Sequence, residues 1–469
     1  MNRKEAEDYV YRSYLKAARF RDSRAPDWQI RKPELTKDLI QSLSDETGSP
    51  AIVITGSKGK GSAAVILAAL LQSFFQVGLM TSPHLLSFCD RFQVNGSSIS
   101  DNDFCRLMTR VQTLLDPVEA SLPQDVCISP MGIQTILALL YFKEKNTQIN
   151  IFECGKGARY DDVNQVKRDY AIINRILPEH LRELGPDIRA IARDKSHVIS
   201  GRERCVYIGR QDPEVMDILL ERARRLDVPV RCLGKDFRAD RIRIDKRGTL
   251  LDFAMGQKII KDLRIPLAGR FQAENCALAL ALCLDILEGT EGTDKASEAG
   301  GLPTIPAPIE ETDLAQEDSI RDIIRVSLSR VRRPGRMDIL SENPFILLDA
   351  CIHAESALEV RLLLDTLSIR QACVIIGIPD DKDFSGVARI MEPLASRLIM
   401  TRSRNPHYVF TDRQKESLND IGIRVRQTDS LDQALSLWAE TEEKAPLVIL
   451  GTTSLVSEAL QIISVPLMI

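Results

Sequence analysis

The sequence predicts an α/β protein: a mostly parallel sheet with a small antiparallel edge sheet, then a smaller, Rossmann-like α/β domain. Three observations lead there. Short apolar runs alternate with longer helical stretches, the pattern of a parallel sheet. Between residues 228 and 266 the runs become short and closely spaced, as in antiparallel strands. From Glu288 to about Glu317 the chain is rich in Gly, Glu, Thr and Pro with few large apolar residues, which divides it. The expected organisation is an N-terminal and central domain over 1–297, a linker or insertion over 288–325, and a C-terminal domain over 326–469.

Each element has its own signal. Residues 3–22 and 34–45 repeat Tyr, Leu and Ile at three- and four-residue steps and predict helices. Ala51-Ile52-Val53-Ile54-Thr55 is a buried-strand run that enters a glycine-rich turn and then a helix from Ala63 to Phe75. Val77 to Thr81 is the next strand, Ile128 to Lys143 an apolar helix, and Ile149 to Glu153 another strand. Tyr170 to Asn174 and Cys205 to Ile208 continue the series. Val230 to Cys232, Asp240 to Ile244 and Leu250 to Ala254 predict the antiparallel strands, and 272–287 a helix. Phe345 to Asp349, Ala372 to Gly377, Arg397 to Thr401 and Pro446 to Gly451 supply the second sheet.

Composition narrows the function. The 469 residues carry 62 Lys+Arg against 66 Asp+Glu, a net charge of -4, which argues against a nucleic-acid coat or a polybasic membrane binder. No apolar run reaches the roughly 18–20 residues of a membrane span. The charged start, Met1 to Asp8, does not read as a signal peptide. Ten cysteines without a C-x-x-C pair suggest reduced thiols in the cytoplasm, and five histidines without metal spacing give no structural zinc site.

The strongest chemical signal is Thr55-Gly56-Ser57-Lys58-Gly59-Lys60-Gly61-Ser62, set between a strand and a helix. Glycines let backbone N–H groups turn toward an anion, and a helix N-terminus favours negative charge. Lys60 can reach terminal phosphates, and Thr55 or Ser62 can bond a phosphate or approach Mg²⁺. Gly61 separates Lys60 from Ser62, a departure from the common phosphate-loop spacing. The first domain therefore reads as a P-loop, ATPase-like domain, a reading that leaves kinase, ATPase and ligase open.

Beyond that loop a series of segments narrows the choice. They are Thr81-Ser82-Pro83-His84-Leu85, Asp90 to Gly96, and Phe152-Glu153-Cys154-Gly155-Lys156-Gly157-Ala158-Arg159-Tyr160-Asp161 through Asn164. Further on come His180 before Leu184-Gly185, Ile191 to Lys195, Gln272 to Ala277, Arg333 to Arg336, Asp381-Lys382-Asp383 and Gly451 to Ser454. In content and order the set resembles the folylpolyglutamate synthase/dihydrofolate synthase family, a branch of the Mur-type ATP-dependent amide ligases. The resemblance implies ATP-driven formation of an acyl phosphate, which an amino acid then attacks to give an amide, ADP and phosphate. It puts Ser82, Glu153 and His180 at metal-ligand positions. It also implies a carbamylated Lys195, an anion where a free ammonium would repel a second Mg²⁺. Asn275, Arg336 and Asp349 look like the contacts to adenine, phosphate and ribose. Ser82, Pro83, His84 and Arg91 fall in the pterin region, where Phe88 and Phe92 could stack or simply pack, and Lys382 could line a cleft between domains. The expected reactants are a folate-like acid and glutamate, with a monomeric enzyme.

One stretch departs from the family. Asp349-Ala350-Cys351-Ile352-His353-Ala354-Glu355 replaces the usual Asp-Gly-Ala-His-Asn-Pro, so His353 arrives one residue late. Lys156 and Ala158 alter the strand-end turn. These changes keep a ligase for a non-folate acid, and a nucleotide-binding scaffold without turnover, as alternatives.

Overall fold

Runs of four or five residues that are apolar on both faces can only be strands covered from both sides. The computed structural model describes residues 1–21, 27–43, 49–291, 317–406, 408–440 and 445–464. Its first sheet has eight strands: β1 Ala51–Thr55, β2 Val77–Met80, β3 Phe92–Val94, β4 Ser97–Ser98, β5 Ile149–Glu153, β6 Tyr170–Ile173, β7 Cys205–Ile208 and β8 Val230–Cys232. Their order is β4-β3-β2-β5-β1-β6-β7-β8. All neighbours from β2 to β8 run parallel, while β3 and β4 add an antiparallel edge. Every residue of β1, β2, β5 and β6 is buried.

The helix Lys60–Leu71 follows β1 and buries ten of its twelve residues. Four alanines keep it slim, while Ile66, Leu67, Leu70 and Leu71 are fully enclosed. Each such side chain contributes about 1.5–3 kcal/mol of burial. The chain passes from β1 to β2 on one side, and from β5 across β1 to β6 on the other. The carboxyl ends of β1, β5 and β6 thus meet where the sheet's winding reverses, the usual crevice for ligands in open α/β sheets.

A three-stranded sheet, order β11-β10-β9, comprises β9 Phe237–Asp245, β10 Gly248–Met255 and β11 Lys258–Ile265. The second large sheet is built from β12 Asp338–Glu342, β13 Phe345–Asp349, β14 Ala372–Gly377, β15 Ala395–Met400, β16 Arg426–Gln427 and β17 Leu447–Gly451. Its order is β12-β13-β17-β14-β15-β16, parallel except for the β12–β13 pair. The backbone separates into two compact units. One comprises Met1–Asp240, Asp252–Leu263 and Glu274–Arg330; the other comprises Arg241–Leu251, Arg264–Ala273 and Val331–Ile469.

The fold class agrees with the sequence, with local differences. Val230–Cys232, expected to be antiparallel, pairs parallel with β7, because an alternating run does not name its partner. The phosphate-loop helix starts at Lys60 rather than Ala63. Asp101–Ala120 is a helix that the sequence reading leaves out, although Phe104, Leu107, Met108, Val111 and Leu115 recur at helical spacing and form its buried face. Residues 292–316 of the expected linker lie outside the described residues; its flanks belong to the helices Arg270–Glu291 and Glu317–Ser329. The ten cysteines, all among the described residues, form no disulfide. No helix among the described residues is long and apolar enough to cross a membrane.

Candidate functional site

The phosphate loop takes its shape from two glycines. Gly56 has φ +137° and Gly59 has φ +85°, both in the left-handed half of backbone space. A Cβ on Gly56 would lie 2.7 Å from Cβ of Asn174, and one on Gly59 only 2.4 Å from Oδ1 of Asn275. The loop is tied down between them. The N–H groups of Ser57 and Lys58 donate to the Arg175 carbonyl at 2.9 and 3.4 Å. The Ser57 hydroxyl donates to the Leu177 carbonyl at 3.2 Å and accepts from the Leu177 N–H at 2.9 Å. Gly61 and Ser62 enter the helix buried.

Two lysines converge on one carbonyl. Nζ of Lys60 and Nζ of Lys195 each donate to the Gly56 oxygen at 2.9 Å. Lys195 is 0% exposed, so a solvated-surface role is excluded. It also donates to the Lys156 carbonyl, and to Glu179 Oε1 at 3.4 Å. Burial, and then the neighbouring Lys60 charge, pull its pKa down to about 8, against the attraction of Glu179 and Asp194. A substantial fraction of this amine is therefore neutral near physiological pH.

Glu153 ends β5 in register with Ile54 of β1, one residue before Thr55. It is buried, and its Oε2 accepts the Ser82 N–H at 3.0 Å. The turn after it is held by two buried acids. Asp161 accepts from the N–H groups of Gly155 and Val163 at 2.9 and 3.1 Å. Burial lifts its pKa to about 6 despite Arg31 at 3.8 Å. Asp194 accepts from Ala158 and Arg159 N–H at 2.8 and 3.4 Å, and burial raises its pKa as well. Thr55 closes the turn onto the loop by donating to the Gly157 carbonyl at 3.3 Å. Arg159 and Tyr160 of this turn also border a cavity of about 400 Å³, with Arg31, Lys32 and Lys37 on its wall.

His180 precedes the short helix Leu181–Leu184 with φ +50°. Burial drops its pKa to about 4, although Glu179 and Glu183 pull the other way, so its imidazole is neutral near pH 7. His84 is neutral for similar reasons: burial, then Arg91, lower its pKa to about 4. Arg91 donates from Nε to Nδ1 of His84 at 2.9 Å and from Nη1 to Oε1 of Gln134 at 2.6 Å. Its guanidinium lies over Phe88, 4.7 Å from the ring centroid. Phe88 and Phe92 are themselves core residues, packed on each other and on Phe104. Pro83 of the same segment is exposed.

The first unit thus gathers the loop residues Gly56 to Ser62, together with Glu153, Ser82, Lys195 and Asn275. His180 joins them through its neighbour Glu179. The second unit holds its own strand-end group. Asp349, at the end of β13, accepts the Met337 N–H at 2.8 Å, and Arg336 donates to the Ala350 carbonyl at 3.1 Å. His353 opens the helix Ala354–Thr366 without a side-chain cap. Asp383 accepts from Ala354 N–H and caps the next helix, both at 2.9 Å, while Lys382 pairs with Asp381.

Sequence reasoning missed Asn174, Glu179, Asp161 and Asp194. Glu179 had a signal in its place beside His180, and Asp161 and Asp194 in the segments that carry the family resemblance, where they were given no role; Asn174 looks like an ordinary strand-end residue. Among the described residues no three His, Cys, Asp or Glu side chains are close enough to hold a metal. Ser82 and Glu153 nonetheless offer the hard oxygen donors that suit Mg²⁺. Lys195 as an amine does not.

Comparison with known proteins adds the rest. The Mur ligase middle domain family matches residues 54–283. The dihydrofolate synthase/folylpolyglutamate synthase of Mycobacterium tuberculosis is 26% identical over 411 residues, covering 84% of this chain and 79% of that one. A crystal structure of folylpolyglutamate synthase from the same organism, complexed with ADP and AMPPCP, shares the fold at TM-score 0.78 and 24% identity, over 92% and 94% of the two chains. An FPGS–AMPPCP–folate complex shares it at TM-score 0.75 and 22% identity, over 99% and 100%.

Proposed function

We propose that this chain belongs to the folylpolyglutamate synthase/dihydrofolate synthase family of Mur-type ligases and that it is an ATP-dependent, ADP-forming ligase joining a folate carboxylate to the amine of L-glutamate. The observation that carries this reading is the meeting of two lysines on the Gly56 carbonyl. Cations are gathered at the end of the strand beside the one that carries Glu153.

In this reading a carboxylate oxygen of the acid attacks the γ-phosphorus, the bond to ADP breaks, and an acyl phosphate forms. The glutamate nitrogen, having lost a proton, attacks the acyl carbon, and phosphate leaves with its bonding oxygen. Crowding two anions is the main barrier, and fixed positive charge offsets it. Lys60 swings from Gly56 to the phosphate oxygens. Ser82 and Glu153 would hold Mg²⁺, and the neutral imidazole of His180 adds a lone pair; the metal supplies charge that screens the two anions. The neutral Lys195 amine would attack CO₂ and lose a proton to give a carbamate, whose oxygens would suit a second Mg²⁺ where a free ammonium would repel it. The cavity bordered by Arg31, Lys32, Lys37 and Arg159, with Glu34 as its one acid, is net positive and would suit an anionic substrate. The same reading has the enzyme working as a monomer in the cytoplasm, a setting that suits ten unpaired cysteines.

A non-folate acid is the second reading, favoured by the altered segment Asp349 to Glu355 and by Lys156 and Ala158 in the strand-end turn. The test is ADP release by purified protein with Mg²⁺ and bicarbonate over a panel of acids and amino acids, with the product weighed by mass spectrometry. Turnover confined to folates with glutamate is the expected result. Turnover only with another pair selects the second reading, and nucleotide binding without any turnover rejects both.

A further inference from the structure

We propose that Asn174 is a positioning residue for the nucleotide, acting through Asn275 and the two glycines of the phosphate loop. The proposal rests on the ATP-dependent reading above and on Asn275 as a nucleotide contact.

Asn174 directly follows β6, and each of its groups but one has a partner. Its N–H donates to the Thr55 carbonyl at 2.8 Å, which carries the sheet ladder one residue beyond the strand, to where the loop begins. Its carbonyl accepts from Nε2 of Gln211 at 2.9 Å. Its Nδ2 donates to Oδ1 of Asn275 at 2.8 Å, a buried bond spanning 101 residues of sequence. The backbone of Asn174 is therefore fixed from both sides, and its amide reaches the helix Arg270–Glu291 in a single orientation.

The loop is moulded on that pair. A methyl at Gly56 would strike Cβ of Asn174 at 2.7 Å, and one at Gly59 would strike Oδ1 of Asn275 at 2.4 Å and Nδ2 of Asn174 at 2.9 Å. Gly56 and Gly59 bracket Ser57 and Lys58, whose N–H groups rest on the carbonyl of the very next residue, Arg175. Asn174 is thus a side chain that touches both bends of the loop and also fixes Asn275. The remaining group, its Oδ1, is buried without a partner among the described residues. A core that served folding alone would be expected to satisfy or remove such an acceptor. Its retention fits a side chain selected for what its Nδ2 holds in place. Asparagine is also the residue of the right length: aspartate would set two acceptors face to face, and serine would fall short of Asn275.

The test measures AMPPCP affinity by calorimetry on the full chain, together with melting temperature, for wild type, Asn174→Ala, Asn174→Asp, Asn275→Ala and the Asn174→Ala/Asn275→Ala double variant. Loss of one positioning bond is expected to weaken AMPPCP by about tenfold in Asn174→Ala. Asn174→Asp should lose more, because it adds a negative charge beneath the phosphate loop. In the Asn275→Ala background the further loss from Asn174→Ala should be less than about twofold, since residues acting in series are not additive. Steady-state kinetics should show the KM for ATP rising with the KM for the amino acid unchanged, a split that general destabilisation would not produce. Affinity within about twofold of wild type, or full additivity in the double variant, overturns the proposal. If Asn174→Ala does not fold, Asn174→Ser reads the same bond with a side chain too short to make it. A wild type that binds no AMPPCP overturns the nucleotide reading along with this one; normal wild-type binding with an indifferent Asn174 overturns this one alone.

Discussion

Both large sheets end a parallel strand in a buried acid, yet the two acids sit in different surroundings. Glu153, after β5, has one oxygen on a half-buried loop N–H, and the strand next to it leads to Gly56, whose carbonyl accepts from the side chains of Lys60 and Lys195. Asp349, after β13, accepts the buried N–H of Met337, and next to it Arg336 holds the Ala350 carbonyl. The first acid lies near a lysine held at an energetic cost: burial first, and then the Lys60 charge, depress the pKa of Lys195 against the pull of Glu179 and Asp194. The second lies where polar groups are matched with each other. Strained charge marks a place where something else is meant to bind; matched polarity marks a joint.

That contrast can be broken by mutation. The largest effects belong to the lysines. Lys60→Ala should lower kcat by about 10²–10³-fold, as for removal of a preorganised charge from a transition state. Lys195→Ala should do the same while AMPPCP affinity stays within about twofold; near-normal turnover would remove Lys195 from the chemistry. Bicarbonate activation of the wild type should strengthen from pH 7 through 8, as the amine of Lys195 loses its proton, and be absent in the variant.

Next come the two acids. Glu153→Gln keeps an acceptor for Ser82 but removes the charge, so kcat should fall about 10²-fold with little change in melting temperature. Asp349→Ala strands the Met337 N–H and should cost about 1–3 kcal/mol of stability in urea unfolding, with kcat within about tenfold of wild type. The reverse pattern, with activity lost at Asp349 and stability at Glu153, would refute the comparison.

The smallest effect is a pH profile. His84 has a folded pKa of about 4, below its ordinary value of 6.5. Between those values the unfolded chain takes up a proton that the folded chain refuses, so acidification favours unfolding. His84→Gln lacks this, and the stability difference between the two proteins should move in favour of the variant as pH falls from 6.5 to 4. A constant difference across that range would show that His84 is not held neutral.

Much of this was legible in the chain. Ile52, Val53 and Ile54 followed by Gly56 announce a buried strand running into a loop, because the run is short, β-branched and closed by a glycine. Asn95-Gly96 carries the turn signal for the hairpin of β3 and β4, a signal that its place in a family motif overshadows. Lys195 can be picked out only by its resemblance to a family pattern, because a lysine in a helix reads as solvated until its burial is seen. The roles of Asn174 and Asp194 stay hidden for a deeper reason. Each works through a bond to a residue far along the sequence, and spacing along the chain says nothing about such partners.

The helix Lys60–Leu71 has almost no face turned to water. A peptide cut out around the phosphate loop would consequently be an insoluble apolar segment rather than a miniature anion receptor. In the proposed reading the grip on phosphate would be a collective property of the finished sheet, and it should emerge in refolding only once β1, β5 and β6 are side by side. Recovery of nucleotide binding during refolding would then serve as a late and stringent clock for completion of the first unit.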